Sequence, residues 1–232
     1  MSVAIVTGAN RGLGLELVQQ LLQRDWRVIA GCRKTDVLRM TELAGAHPGH
    51  LHVMPLDVSS ERSIAAFVNE AQMVTRTLDL LVNNAGVLIA GERYGEVAAK
   101  SLAQSFAVNA SGALLLTQAC SELLRAAGSA RVANISTVMA SLALTDTFRT
   151  PSYAMSKAAL NMATRLLAAE LAPHGIVVTS FHPGWVQTDM GGSQAPLAIA
   201  DAVTRLLERI LRMDAADAGR FIGSDEDQEL PW

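Results

Sequence analysis

The stretch VAIVTGANRGLGLELVQQLLQR, residues 3–24, decides the fold. Its first six residues, VAIVTG, are a short apolar run rich in β-branched side chains and read as a strand. LGLELVQQLLQR, 13–24, spaces its apolar residues as an amphipathic helix does. Between them lies TGANRGLG, with Gly8, Gly12 and Gly14 spaced G-x-x-x-G-x-G. Glycines allow a tight turn and a close backbone approach, and the helix behind them offers free N–H groups and the positive end of its dipole to an anion. Gly8, Asn10, Arg11, Gly12, Leu13 and Gly14 are therefore candidate contacts for a dinucleotide phosphate. The bland alternative is a turn that only packs the helix onto the sheet.

The rest of the chain repeats this pattern. Strands are expected at 27–32, 51–58, 78–86, 130–136 and 176–184, with a further one at 219–223. Helices are expected at 63–74, 152–171 and 197–211. Strands that alternate with helices imply a parallel sheet. Strands almost continuous in apolar residues imply burial on both faces. The fold class is α/β: a single doubly wound parallel sheet of about seven strands with helices on both faces. One domain spans 1–232, with a dinucleotide-binding half at about 1–130 and a catalytic and substrate-binding part at about 131–232. Ligands of such sheets bind beyond the carboxyl ends of the strands, so the chemistry should collect there.

Composition removes several function classes. Of 232 residues half are hydrophobic, and the net charge is −3, which argues against a nucleic-acid surface. No apolar run is long enough for a membrane span. Cys32 and Cys120 make no disulfide framework, which fits a reducing, cytoplasmic setting. The five histidines lack a metal-ligand spacing, so no metal site is expected. The acidic stretch SDEDQELPW, 224–232, is too short to be a domain.

The end of the second strand bears on the cofactor. An acid there would bind a ribose 2′-hydroxyl. The sequence instead has Cys32, Arg33 and Lys34. A guanidinium can grip a 2′-phosphate with two hydrogen bonds, and Arg11 adds a second cation, so NADP(H) is favoured over NAD(H).

Further along, Ser136 and Thr137 are adjacent hydroxyls at a strand end, where successive side chains face opposite ways. After them YAMSK puts Tyr153 and Lys157 at i and i+4 on one helix face. A free phenol has a pKa near 10, and a nearby ammonium should pull it toward the working range of an acid–base group.

TGANRGLG, LDV at 56–58, NNAG at 83–86, Asn109 in FAVNASG, IST at 135–137, YAMSK and HPGWVQTDM at 182–190 occur in this order across almost the whole chain. Together they resemble the short-chain dehydrogenase/reductase family. The ending GRFIGSDEDQELPW is most similar to its carbonyl-reductase-like branch, which includes C-factor and sniffer-type proteins. The resemblance implies a Rossmann fold and a catalytic set of Asn109, Thr137, Tyr153 and Lys157. It implies that Asp57 and Val58 flank the adenine, and that Asn84, Ala85 and Gly86 line the ribose and nicotinamide side. Lys157, beside Tyr153, would hold the nicotinamide ribose. Asn109 would hold a relay water, and Val186 and Thr188, after Pro183 and Gly184, would bind the carboxamide. It chooses Thr137 over Ser136 as the catalytic hydroxyl. It also implies homodimers or homotetramers paired through helices near 96–125 and 150–172.

Two features depart from the family pattern. Threonine stands where serine is usual, and the sixteen-residue step from Thr137 to Tyr153 is longer than usual. The expected function is NADP(H)-dependent hydride transfer between nicotinamide and a small-molecule carbonyl or alcohol, within the oxidoreductase class. Pocket candidates are Val87, Leu88, Ile89, Tyr94, Met139, Leu142, Leu144, Phe148, Trp185 and Met190, an apolar set that suits a hydrophobic aldehyde, ketone or quinone. The rival reading is a catalytically idle NADP(H)-binding signalling protein.

Overall fold

Seven parallel strands form one sheet in the order β3-β2-β1-β4-β5-β6-β7. They are β1 Val3–Thr7, β2 Arg27–Cys32, β3 Leu51–Pro55, β4 Leu80–Asn83, β5 Arg131–Ile135, β6 Val177–His182 and β7 Phe221–Gly223. The computed structural model describes residues 1–223 and 228–232, so the acidic stretch at 224–232 lies partly outside the described residues.

The helices are α1 Gly12–Leu22, α2 Leu38–Ala46, α3 Glu61–Val74, α4 Ala99–Phe106, α5 Gly112–Ala119, α6 Ser121–Ala126, α7 Pro151–Leu171 and α8 Ile199–Leu211. Strand alternation sorts the core into two layers. Val3 and Ile5 of β1 face one cluster, with Phe67 of α3, Leu116 of α5 and Leu167 of α7. Ala4 and Val6 face the other, with Leu17 and Leu21 of α1 and Leu206 of α8. Both faces of the sheet are thus covered, as the nearly continuous apolar strands require.

Several strands stop short of their sequence-predicted ends. The run 78–86 leaves the ladder at Asn83 because the N–H groups of Asn84 and Ala85 both bond the Thr7 hydroxyl, at 3.0 and 2.9 Å. The expected helix at 96–125 is broken into α4, a π-helical turn Ala107–Ser111, α5 and α6. That turn carries Asn109. The chain runs β1, β2, β3 in one direction and then returns to β4 on the far side of β1. A sheet of this kind opens its ligand crevice at such a reversal, beyond the carboxyl ends of β1 and β4.

Candidate active site

The crevice is a cleft of about 1230 Å³ running from the glycine loop to the start of α7. Single small-molecule pockets commonly hold roughly 300–1,000 Å³, so this cleft has room for a dinucleotide and a substrate side by side.

At its first end the glycines are there for space. Gly8 has φ +64°, and a Cβ on it would come 2.9 Å from the Ala85 Cα; a Cβ on Gly14 would lie 2.3 Å from the Gly8 carbonyl oxygen. The Asn84 amide donates to the carbonyls of Thr7 and Gly8, at 2.8 and 3.3 Å, and ties β4 to the loop. Helix α1 begins at Gly12 with no side-chain cap. Its first N–H groups therefore face the cleft, a donor set suited to a phosphate. These features fit a dinucleotide.

All the sequence-predicted cofactor residues line this cleft: Gly8, Asn10, Arg11, Gly12, Leu13, Gly14, Arg33, Asp57, Val58, Asn84, Ala85, Gly86, Tyr153, Lys157, Pro183, Gly184, Val186 and Thr188. Their electrostatics differ in detail from expectation. Arg11 is ion-paired with Asp189 at the cleft rim, both side chains well exposed. Hydrogen bonds from the Ser59 hydroxyl and N–H hold the Asp57 carboxyl below its ordinary pKa, with the Arg33 charge adding to them.

At the other end Tyr153 is buried beside the Thr137 side chain, and both line the cleft. The Thr137 hydroxyl also accepts the Met139 N–H at 3.3 Å. Ser136 turns away and donates to Asn161 Oδ1 at 2.7 Å. Lys157, one helical turn beyond Tyr153, is buried and donates from Nζ to the Ile135 carbonyl at 2.6 Å. The expected lowering of the Tyr153 pKa is not found. Burial pushes the phenol up to about 12, against the opposing influence of the Thr137 side chain, and lowers Lys157 to about 8. Desolvation disfavours both charged forms.

Asn109 does not line the cleft. Its Oδ1 accepts the Val87 N–H at 2.8 Å, and its amide donates to the Val87 carbonyl and to the Ser156 hydroxyl, at 2.8 and 2.9 Å. It sits behind Gly86, where an added Cβ would lie 3.4 Å from Asn109 Oδ1 and 3.7 Å from Lys157 Nζ. Both amide hydrogens are engaged with protein atoms.

Of the pocket candidates, Val87, Leu88, Met139, Trp185 and Met190 line the cleft, while Ile89, Tyr94, Leu142, Leu144 and Phe148 do not. Tyr94 and Phe148 meet edge to face outside it, ring centres 5.6 Å apart. The segment 142–149 is exposed throughout, so its apolar residues turn outward.

Sequence reasoning missed several supporting residues. Thr7 pins the β4 exit. Glu92 accepts the Ser152 N–H and hydroxyl, at 3.2 and 2.7 Å, and so fixes the first turn of α7 beneath Tyr153. Asn161 holds Ser136. None has a local sequence signal, because each partner lies 25 to 78 positions away. Thr150, left-handed at φ 41°, begins α7 ahead of Pro151 and borders the cleft with Arg149.

The buried ammonium has a consequence for stability. Lys157 titrates near 10.5 when exposed and near 8 in the fold, so the unfolded chain holds that proton more tightly. The cost is fully present below about pH 8 and fades as pH rises toward 10.5. Lys157→Met should therefore raise thermal stability at pH 7, by on the order of 2 kcal/mol, while abolishing turnover. Melting curves at pH 7 and pH 10 check this; the gain should shrink at the higher pH.

A glycine-bordered crevice at the reversal point of a parallel sheet, with Thr137, Tyr153 and a buried lysine at its far end, defines a Rossmann-type protein with a candidate acid–base site. The family model for short chain dehydrogenase matches residues 2–196, and the chain belongs to that family of oxidoreductases. C-signal of Myxococcus xanthus is 41% identical over 158 residues, 68% of this chain and 95% of that protein. The carbonyl reductase Sniffer of D. melanogaster superposes with TM-score 0.94 at 31% identity, covering 100% of this chain and 99% of that one. NADPH-bound carbonyl reductase from chicken fatty liver superposes with TM-score 0.92 at 34% identity over 100% of both chains. Among the described residues no helix is long and apolar enough to cross a membrane.

Proposed function

We propose that this protein is an NADPH-dependent reductase of hydrophobic aldehydes, ketones or quinones. The observation that carries the reading is a neutral, buried Tyr153 beside Thr137 and Lys157 at the end of a cleft large enough for a dinucleotide. A phenol raised to about 12 keeps its proton at neutral pH, which suits donation to a carbonyl oxygen more than removal of a proton from an alcohol. Thr137 would hold the same oxygen. Lys157, at about 8 and one helical turn away, is the group that would return a proton to Tyr153. A bound nicotinamide cofactor supplies the hydride. Val186 and Thr188 would orient it, and Asp57 and Val58 would flank its adenine. A relay water held by Asn109 would need atoms other than its amide hydrogens. The half at about 1–130 then serves the cofactor, and 131–232 the chemistry.

NADP(H) rather than NAD(H) is supported by Arg33 at the cleft wall and by the NADPH bound to the chicken enzyme. Arg11 would reach a 2′-phosphate only by leaving Asp189. NADPH should bind at least tenfold more tightly than NADH, about 1.4 kcal/mol, and Arg33→Asp should erase or invert that preference in a fluorescence titration. Equal affinities in the unsubstituted protein would overturn the assignment.

The apolar wall of Val87, Leu88, Met139, Trp185 and Met190 supports the substrate class. NADPH oxidation followed across a panel of aromatic aldehydes, ketones and quinones tests it. Cofactor binding with no turnover anywhere on the panel would favour an idle signalling protein, a reading to which the C-signal likeness lends some support. A cytoplasmic homodimer or homotetramer is part of the proposal. Met155, Met162 and Leu166 form an exposed apolar stripe on α7 that a second copy would cover, and sedimentation reports it.

A further inference from the structure

The loop between Thr137 and Tyr153 has few anchors for its length. Residues 142–149 are all exposed. Within the loop, Leu144 N–H and the Thr145 hydroxyl bond Ser141. Among the described residues, the segment 142–149 is tied to the rest of the molecule by the Phe148 edge on Tyr94 and by the Ala143 N–H donated to the Trp232 carbonyl at 2.9 Å. Yet this loop joins Met139 to Arg149 and Thr150, all of which border the cleft.

Trp232 is itself firmly held. Its ring stacks on Phe221 of β7, centres 5.5 Å apart and planes 24° apart. The Arg165 guanidinium of α7 lies 5.9 Å above the same ring. The Gln228 carbonyl accepts the Gly223 N–H at 2.9 Å, and Leu230 N–H donates to the Phe221 carbonyl at 2.7 Å, laying the segment along β7. Arg220 pairs with Glu229 at 2.7 Å. Offset stacking and a cation over an indole both fix a ring in place. A fixed ring fixes the carbonyl of its own residue.

We propose that Trp232 is a positioning residue for the substrate mouth: its ring, seated on Phe221 and under Arg165, holds its carbonyl against Ala143 and so sets the loop that leads to Arg149 and Thr150. The inference rests on the carbonyl reductase reading for its effect on substrate, but not for its effect on the loop. Trp232 does not line the cleft that holds the glycine loop and Tyr153, and its ring contacts are with Phe221 and Arg165. Its loss should therefore raise KM for a bulky carbonyl and leave kcat and NADPH affinity alone. The competing account is that Trp232 merely covers the exposed edge of β7, and that the loop is ordered by Ser141 and Tyr94.

Two readouts separate these accounts. The first is the rate of tryptic cleavage after Arg149, with cleavage after Lys34 as the internal control. Trp232→Ala should speed the Arg149 cut about tenfold and leave the Lys34 cut unchanged, and Trp232→Phe, which keeps a stacking ring, should restore most of the protection. The second is steady-state kinetics with phenanthrenequinone and NADPH. Trp232→Ala should raise KM at least fivefold with kcat within twofold, again restored in Trp232→Phe. Ala143→Pro, which removes the loop's donor and leaves the Phe221 stack alone, should reproduce both effects and decides the matter if Trp232→Ala does not fold. Unchanged Arg149 cleavage in both Trp232→Ala and Ala143→Pro would overturn the proposal. So would a loss of kcat, NADPH affinity and melting temperature together that Trp232→Phe does not repair. If the unsubstituted protein turns over no quinone, the reductase reading fails on its own, and the Arg149 arm still decides the role of Trp232.

Discussion

Tyr153→Phe should keep the fold and the affinity for NADPH while turnover of a carbonyl substrate falls by at least the roughly 10²–10⁴ typical of a lost acid–base group. The ring is buried and packs without its hydroxyl, so the cost to stability should be small. The fall should be steepest in the direction of reduction, where the phenol gives up its proton. The pH profile carries a second part of the expectation. A group at about 12 does not titrate in the accessible range, so a fall in reduction rate at alkaline pH should follow Lys157, near pH 8, and not Tyr153. Stopped-flow single-turnover rates measure the chemical step apart from product release. Retained turnover in Tyr153→Phe, with the fold intact, would remove this residue from its assigned role.

What the sequence allowed and what it withheld divide along a physical line. The seven strands and the glycine loop were readable because their signals are local. β-Branched runs, period-3.6 apolar spacing and a glycine cluster all lie within a dozen residues. Strand ends were misjudged where a distant side chain took over the backbone, as Thr7 does to Asn84 and Ala85. The broken helix around Asn109 escaped for a similar reason. Its side chain is drawn to Val87, and no periodicity in FAVNASG announces a π-helical turn. At the site itself, the sequence names residue types and spacing but not solvation. The i, i+4 lysine was expected to lower the Tyr153 pKa; only the fold reveals that both groups are buried deeply enough for desolvation to dominate. The loop 142–149 misled in the opposite sense. Leu142, Leu144 and Phe148 are apolar and suggest a pocket wall by composition, yet they are exposed. Apolar character says that a side chain gains by burial, not what will bury it.

The choice between the two adjacent hydroxyls can be put to a graded series. Thr137→Ser keeps the hydroxyl at Tyr153 and should retain most turnover. Thr137→Val keeps the shape and removes the hydroxyl that would hold the reacting oxygen, so the barrier should rise by about 2–4 kcal/mol, in line with a lost oxyanion donor. That is a fall of roughly 30-fold to 10³-fold in kcat. Valine also releases the Met139 N–H, and melting curves separate that structural cost from the chemical one. Ser136→Ala should behave in the opposite way. The Ser136 hydroxyl points at Asn161 Oδ1, and the Asn161 Nδ2 already has no partner among the described residues. Removing Ser136 leaves that buried amide with neither bond, a penalty of about 1–3 kcal/mol in stability with turnover nearly intact. The two residues are neighbours in the chain but face different points on α7, Thr137 toward Tyr153 and Ser136 toward Asn161, one turn beyond Lys157. Turnover that survives Thr137→Val but collapses in a folded Ser136→Ala would mean that the working hydroxyl is Ser136.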